Sequence, residues 1–261
     1  MERIGDLLLE RVVPPERTKP IPLLFVHGIW SGSWYWTNYL RAAAEAGWEA
    51  WAVNLRGRHG SRPAPDLGRV SILQYVQDVL DCLRELGEAV LVGQSMGGLI
   101  AQKVAEIAPV RAAVILTSAA PKGILVLRWP VLSRMVKYLG PIFGDRAFLP
   151  SKADASALVF NKLPSDSQAW AYDRLVPDSG RAAREMAFGL IAVDETLVRC
   201  PVLVVGAEHD PLAPVAVQRA IAKKYQADYR EATGHAHMLV FEEGWERPFN
   251  EIFGWIEARI G

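Results

Sequence analysis

Short unbroken apolar runs alternate along the chain with longer stretches in which apolar residues recur every three or four positions. Leu23-Leu24-Phe25-Val26, closed by His27-Gly28, predicts a buried strand. Ser33 to Ala46 predicts a helix stopped at Gly47, and Glu49 to Leu55 a second strand that runs into the loop Arg56-Gly57-Arg58-His59-Gly60-Ser61. Ser71 opens a helix through about Leu86, since Ile72, Tyr75, Val76, Val79, Leu80 and Leu83 share one helical face. Ala89 to Gly93 predicts a third strand, Met96 to Ala108 a third helix ended by Pro109, and Arg111 to Thr117 a fourth strand. Strands apolar on both faces, separated by helices, predict an α/β chain: a mostly parallel sheet covered by helices on both faces.

The rhythm breaks after the fourth strand. Residues 119–198 hold scattered aromatics and helix-like patches such as Ala182 to Val193, with no convincing strand. Pro201 to Gly206 resumes the strand pattern, and a helix (Val215 to Lys224), a strand (Asp228 to Ala232) and a last helix (Trp245 to Ile260) follow. The expected organisation is a core from residues 1–118 and 199–261, interrupted by a mostly helical cap or lid over 119–198, which is too long for a loop.

Composition narrows the function without naming it. The 261 residues are 51% hydrophobic and 22% charged, ordinary for a folded globule. Lys+Arg and Asp+Glu are both 29, so the chain offers no basic field for nucleic acid or an anionic membrane. Two cysteines, Cys82 and Cys200, exclude a disulfide scaffold and a four-thiolate zinc site. The charged start Met1-Glu2-Arg3 is unlike a signal peptide, and no run approaches the roughly 20 apolar residues of a membrane span. The expectation is a cytoplasmic enzyme with a small-molecule substrate; the sequence leaves its oligomeric state open.

The chemistry starts at Gly93-Gln94-Ser95-Met96-Gly97, a G-x-S-x-G pattern at a strand-to-helix junction. A serine on so tight a turn is strained, and its neighbours two positions away come too close for side chains. The turn lifts the Ser95 hydroxyl above the sheet and aims the Met96 N–H at an oxyanion. A hydroxyl needs a base to take its proton and an acid to orient that base, in the order serine, acid, histidine for this architecture. Asp210, just past the strand Pro201 to Val205 and braced by Pro211 and Pro214, is the favoured acid over Glu208. His235 and His237 both follow it and both remain candidates for the base. Together with His209 they have metal-ligand chemistry, but no further cluster supports a metal, so neither metal nor cofactor is expected. His27 reads as a structural residue whose ring binds loop backbone. A second oxyanion donor is expected from the loop after the first strand, where Ile29 follows His27-Gly28, and Trp30 is expected to face the substrate.

Phe25-Val26-His27-Gly28, Asn54-Leu55-Arg56-Gly57, Gly93 to Gly98, Gly206 to Asp210 and the tail His237 to Glu246 together resemble the α/β-hydrolase fold family, and within it the serine esterase-like enzymes, over nearly the whole length. The resemblance implies a catalytic histidine five residues before a glutamate, and counting back from Glu242 reaches His237. Two features depart from the pattern. The Gly-His pair is Gly234-His235, which keeps His235 as the alternative base. Asn54 stands where relatives carry an aspartate, at a position outside the triad, so little effect on chemistry is expected. The implied activity is a metal-free serine hydrolase cleaving a neutral, fairly apolar carboxylic ester through an acyl-enzyme on Ser95. Amidase, lactonase, thioesterase, carbon–carbon hydrolase or lyase chemistry, or a slow receptor-like binding module, are the alternatives. A serine at this position argues against haloalkane dehalogenase and epoxide hydrolase, which use aspartate.

Overall fold

The computed structural model describes residues 1–124 and 129–260. Eight strands form one sheet: β1 (Glu2–Ile4), β2 (Leu7–Val12), β3 (Leu23–Val26), β4 (Ala50–Asn54), β5 (Val90–Gln94), β6 (Ala112–Leu116), β7 (Val202–Ala207) and β8 (Asp228–Ala232). Their order is β1-β2-β4-β3-β5-β6-β7-β8, with β1, β2 and β4 paired antiparallel and every pair from β4 to β8 parallel. The interior strands β3 to β7 are buried at every residue, as their unbroken apolar runs require. The antiparallel pair β1–β2 is absent from the sequence-based reading. Ile4, Leu7 and Leu9 are buried there while Leu8 and Glu10 are only half-buried, giving the pair one buried face.

Two apolar layers flank the sheet, and adjacent residues of β3 point into different ones. Leu23 and Phe25 pack with α1 (Thr37–Glu45) and α10 (Glu246–Ile260). Leu24 and Val26 pack with α2 (Ile72–Leu86), α3 (Met96–Ile107) and α9 (Val215–Tyr225). Ser71 caps α2, its hydroxyl accepting from the Gln74 N–H while the Gln74 side chain accepts from the Ser71 N–H. The helix expected from Ser33 begins instead as a tight 3-10 turn, Ser33–Trp36, before α1. Cys82 is buried and Cys200 half-buried; burial pushes their thiols up to about 12 and about 11.

Among the described residues, five α-helices lie in the connection between β6 and β7: α4 (Trp129–Met135), α5 (Leu139–Phe143), α6 (Lys152–Leu158), α7 (Ser165–Tyr172) and α8 (Gly180–Ala187). An antiparallel bridge joins Phe148 with Asp178 within this segment. The helix-like stretch from Ala182 stops earlier than its apolar pattern suggests, because the chain turns at Gly189, where φ is +56°.

From β3 the chain passes to β4 on one side and later to β5 on the other. Such a switch in direction opens a crevice at the carboxyl ends of the two strands. The loop after β3 and the turn after β5 meet there.

Candidate active site

Ser95 sits between β5 and α3 with φ 55° and ψ −118°, a conformation a side-chain-bearing residue rarely adopts. Its neighbours leave no alternative. A methyl group on Gly93 would run into the Gly97 carbonyl, and one on Gly97 into the carbonyls of Val26 and His27. The Ser95 N–H is tied to the Leu116 carbonyl at 3.0 Å, so the turn is anchored to β6 as well as β5.

The Ser95 hydroxyl lies 3.1 Å from Nε2 of His237, and Nδ1 of the same ring lies 2.7 Å from Oδ2 of Asp210. A carboxylate only accepts, so Nδ1 carries the proton, and the Nε2 lone pair faces the hydroxyl. The other oxygen of Asp210 accepts the N–H groups of Leu212 and Ala213 at 2.8 and 2.9 Å, which fixes the carboxylate's orientation. Both side chains are buried, His237 at 5% and Asp210 at 0% exposure.

His235 takes part in none of this: among the described residues no hydrogen bond joins its ring to Ser95 or Asp210. Its Nδ1 lies 3.3 Å from the Glu242 carboxylate, and its carbonyl accepts the His209 N–H. Glu242 itself accepts the N–H groups of Ala236 (2.6 Å) and Met238 (3.1 Å), the residues on either side of His237. Gln94 adds a third brace, donating to the His237 carbonyl at 3.1 Å. The sequence reading used Glu242 only to count residues; the offset of five marks the carboxylate that holds the histidine loop. Nothing in the pattern singled out Gln94.

The loop after β3 approaches the serine closely, since a methyl on Gly28 would crowd Oε1 of Gln94 and Cβ of Ser95. The Gly28 carbonyl accepts from Nδ1–H of His27 at 2.8 Å, and Nε2 of His27 accepts the Leu55 N–H at 3.3 Å. These two bonds fix the neutral ring, and burial followed by the nearby Arg58 charge holds its pKa well below the ordinary histidine value. Carbonyl and N–H of a trans peptide point opposite ways. With the Gly28 carbonyl pulled toward His27, the Ile29 N–H points away from that ring and has no hydrogen-bond acceptor among the described residues. Met96 opens α3, so its N–H has no partner within the helix.

Two cavities meet at Ser95 and share Ile29, Trp30, Leu212 and His237 in their walls. The smaller, about 380 Å³, continues between Trp34, Tyr35, Phe160 and Leu175. The larger, about 1040 Å³, runs under α4, α5 and α8, walled by Val131, Met135, Leu139, Ile142, Met186 and Phe188. Among the described residues its lining, apart from Ser95 and His237, is apolar. Trp30 lines both cavities, with its ring nitrogen donating to the Phe148 carbonyl at 3.1 Å. Trp36, by contrast, is core, packed on Phe25 at 4.8 Å. No group of three or more His, Cys, Asp or Glu side chains converges to hold a metal among the described residues, and no described helix is long and apolar enough to cross a membrane.

A mostly parallel sheet flanked by helices, with a serine lifted on a strand-to-helix turn over its switch point, defines an α/β hydrolase. The chain belongs to the Alpha/beta hydrolase family, whose model matches residues 23–252. It is therefore an enzyme of that superfamily, and its relatives are esterase- and lipase-like. A carbendazim hydrolyzing esterase from Nocardioides sp. (strain SG-4G) is 33% identical over 103 residues, a match covering 38% of this chain and 42% of that esterase's length. Among solved structures, the enol-lactonase from Burkholderia xenovorans LB400 superposes with a TM-score of 0.74 at 18% identity, over 97% of this chain and 98% of that one. A monoacylglycerol lipase from Paleococcus ferrophilus superposes with a TM-score of 0.73 at 21% identity, over 97% and 99%. Identities this low speak for the shared fold alone.

Proposed function

We propose that the chain is a serine hydrolase that cleaves neutral carboxylic esters with one large apolar part. The observation carrying this is the unbroken hydrogen-bonded chain from the Ser95 hydroxyl through His237 to Asp210. His237 Nε2 takes the hydroxyl proton as Ser95 Oγ attacks the ester carbonyl, and Asp210 steadies the imidazolium that forms. The N–H groups of Ile29 and Met96 bind the oxyanion of the tetrahedral intermediate. Collapse expels the alcohol, which takes the proton back from His237 and leaves an acyl group on Ser95. Water then repeats the sequence to release the acid. These steps use the chain's own groups and water.

The apolar wall that the described residues give the larger cavity supports a neutral substrate, since a charged group against them would lose its hydration without a partner. In this reading residues 119–198 are the cap, because α4, α5 and α8 supply that wall. The esterase activity of the partial relative is in keeping with it. Replacing Ser95 by alanine tests it. Ser95→Ala is expected to lower hydrolysis of p-nitrophenyl butyrate by roughly 10⁴-fold or more with unchanged circular dichroism; undiminished turnover would remove the assignment.

A further inference from the structure

Trp30 has φ +64°, in the left-handed region where a bulky side chain is strained. Such a conformation persists only where its surroundings over-determine it, and here the surroundings come from the cap segment. The Trp30 N–H donates to Oδ2 of Asp178 at 2.9 Å, and its carbonyl accepts the Val176 N–H at 2.9 Å. Its ring nitrogen donates to Phe148, whose own ring packs edge-on against the indole at 5.5 Å. Phe148 and Asp178 are bridged backbone to backbone. All three anchors lie between β6 and β7, more than a hundred residues from Trp30.

Asp178 is the centre of this clamp. It is fully buried, and so is Arg58, which reaches it from the loop after β4 with Nη1 at 2.6 Å from Oδ2 and Nη2 at 2.8 Å from Oδ1. Tyr75 of α2 donates its hydroxyl to Oδ1 at 2.6 Å, and the Ser179 N–H donates to the same oxygen at 2.7 Å. A two-pronged guanidinium contact fixes the plane of a carboxylate. Arg58 and Tyr75 therefore decide where Oδ2 points, and Oδ2 holds the Ile29–Trp30 peptide.

We propose that Asp178 is a positioning residue: through Trp30 it sets the peptide next to the oxyanion donor Ile29, so that docking of the cap on the core completes the oxyanion site. The inference rests on the serine-hydrolase reading given above. The two sides of the loop have separate holders. His27, from the core, fixes the Gly28 carbonyl, whereas Asp178, from the cap segment, fixes the Trp30 N–H, and the Ile29 N–H lies between them. Releasing the second holder lets Trp30 leave its strained φ, and the Ile29 peptide turns with it. Asp178 touches neither the serine nor the histidine, so its effect reaches the reacting atoms through the loop that carries Ile29 and Trp30.

The test compares Asp178→Asn with Asp154→Asn. Asp154 is also a buried carboxylate of the cap, bonded to Tyr138 and Ser151, but it has no bond to the loop after β3. Active sites are titrated with a fluorophosphonate, and kcat/KM for p-nitrophenyl butyrate is expressed per titrated site. Inhibition by an alkyl trifluoromethyl ketone, whose serine adduct carries the oxyanion, is measured alongside. An asparagine amide at position 178 must turn its NH₂ toward donors on one side or the other. Losing an oxyanion donor outright costs about 100- to 1000-fold, so a donor still present but misaimed is expected to cost about 10- to 100-fold in kcat/KM. The ketone should weaken by the same factor. Asp154→Asn should lower thermal stability and leave both per-site values as in the wild type.

If Asp178→Asn fails to fold, the α-hydroxy analogue of tryptophan at position 30 deletes only the Trp30 N–H, keeps the Arg58–Asp178 pair and is expected to give the same parallel loss. Wild-type per-site kcat/KM and ketone affinity in either variant would overturn the proposal, as would equal losses in Asp154→Asn. Absence of Ser95-dependent hydrolysis in the wild type would instead remove the catalytic reading beneath it.

Discussion

Two histidines stand two residues apart in the loop after β8, yet only the ring of His237 meets a hydroxyl and a carboxylate at once. The other, His235, lies beside Glu242, and that carboxylate holds the loop through backbone N–H groups. The two rings thus carry different consequences. His237→Ala removes the base and is expected to cut kcat for p-nitrophenyl butyrate by roughly 10⁴-fold or more. His235→Ala leaves every bond to Ser95 and Asp210 in place and is expected to keep activity within about tenfold, with a stability loss of about 1–3 kcal/mol from the vacated buried site. A reversed order in steady-state kinetics would transfer the base to His235. Asn54 shows a further residue-scale difference. Its Oδ1 accepts the Ser33 N–H while its amide donates to Ser33 Oγ and to the Leu8 carbonyl. An aspartate could accept but not donate, so the asparagine is used here to join three segments of backbone. The residues of the serine–histidine–aspartate chain were legible because each occupies a motif with its own local geometry. Arg58 and Asp178 were not: 120 positions separate them, and no local pattern marks a pair that only folding brings together.

At the scale of elements, the glycines on either side of Ser95 let α3 start against β3 and β5. A methyl at Gly97 meets backbone carbonyls that cannot move without shifting a central strand. Gly254, in α10, meets nothing within 4 Å. The same substitution should therefore have opposite signs at the two sites. Gly97→Ala is expected to lose about 1–3 kcal/mol, together with most activity, whereas Gly254→Ala gains about 0.5–1 kcal/mol from its lower cost of helix formation. Urea denaturation compares them, and equal effects would show that close approach at the turn is not the constraint. The buried parallel strands were plain in the sequence because both of their faces are apolar. The β1–β2 pair escaped notice because each strand is short and only one of its faces is buried. The 3-10 turn before α1 escaped for another reason. Its Trp34, Tyr35 and Trp36 suit either helix type, and the tighter form follows from the tertiary bond between the Ser33 N–H and Asn54.

For the molecule as a whole, the sheet carries the hydrogen-bonded trio and the segment between β6 and β7 supplies the space. Ser95, His237 and Asp210 stand on loops at the carboxyl ends of β5, β8 and β7, and the parallel order of those strands brings the loops together. The helices α4, α5 and α8 bring mainly apolar surface and leave a large cavity on one side of Ser95. The position of that segment was readable from the interrupted strand rhythm, and so was its largely helical character, but most of its individual helices were not, because short helices held by tertiary contacts carry little periodicity of their own. The account depends on a covalent bond forming at one oxygen. Rapid quenching of wild-type protein with p-nitrophenyl butyrate, followed by intact and peptide mass spectrometry, reads that bond directly. A butyryl adduct on the peptide containing Ser95, formed at least as fast as turnover and missing in Ser95→Ala, is the predicted result; steady hydrolysis with no acyl group on Ser95 at any time point would contradict it.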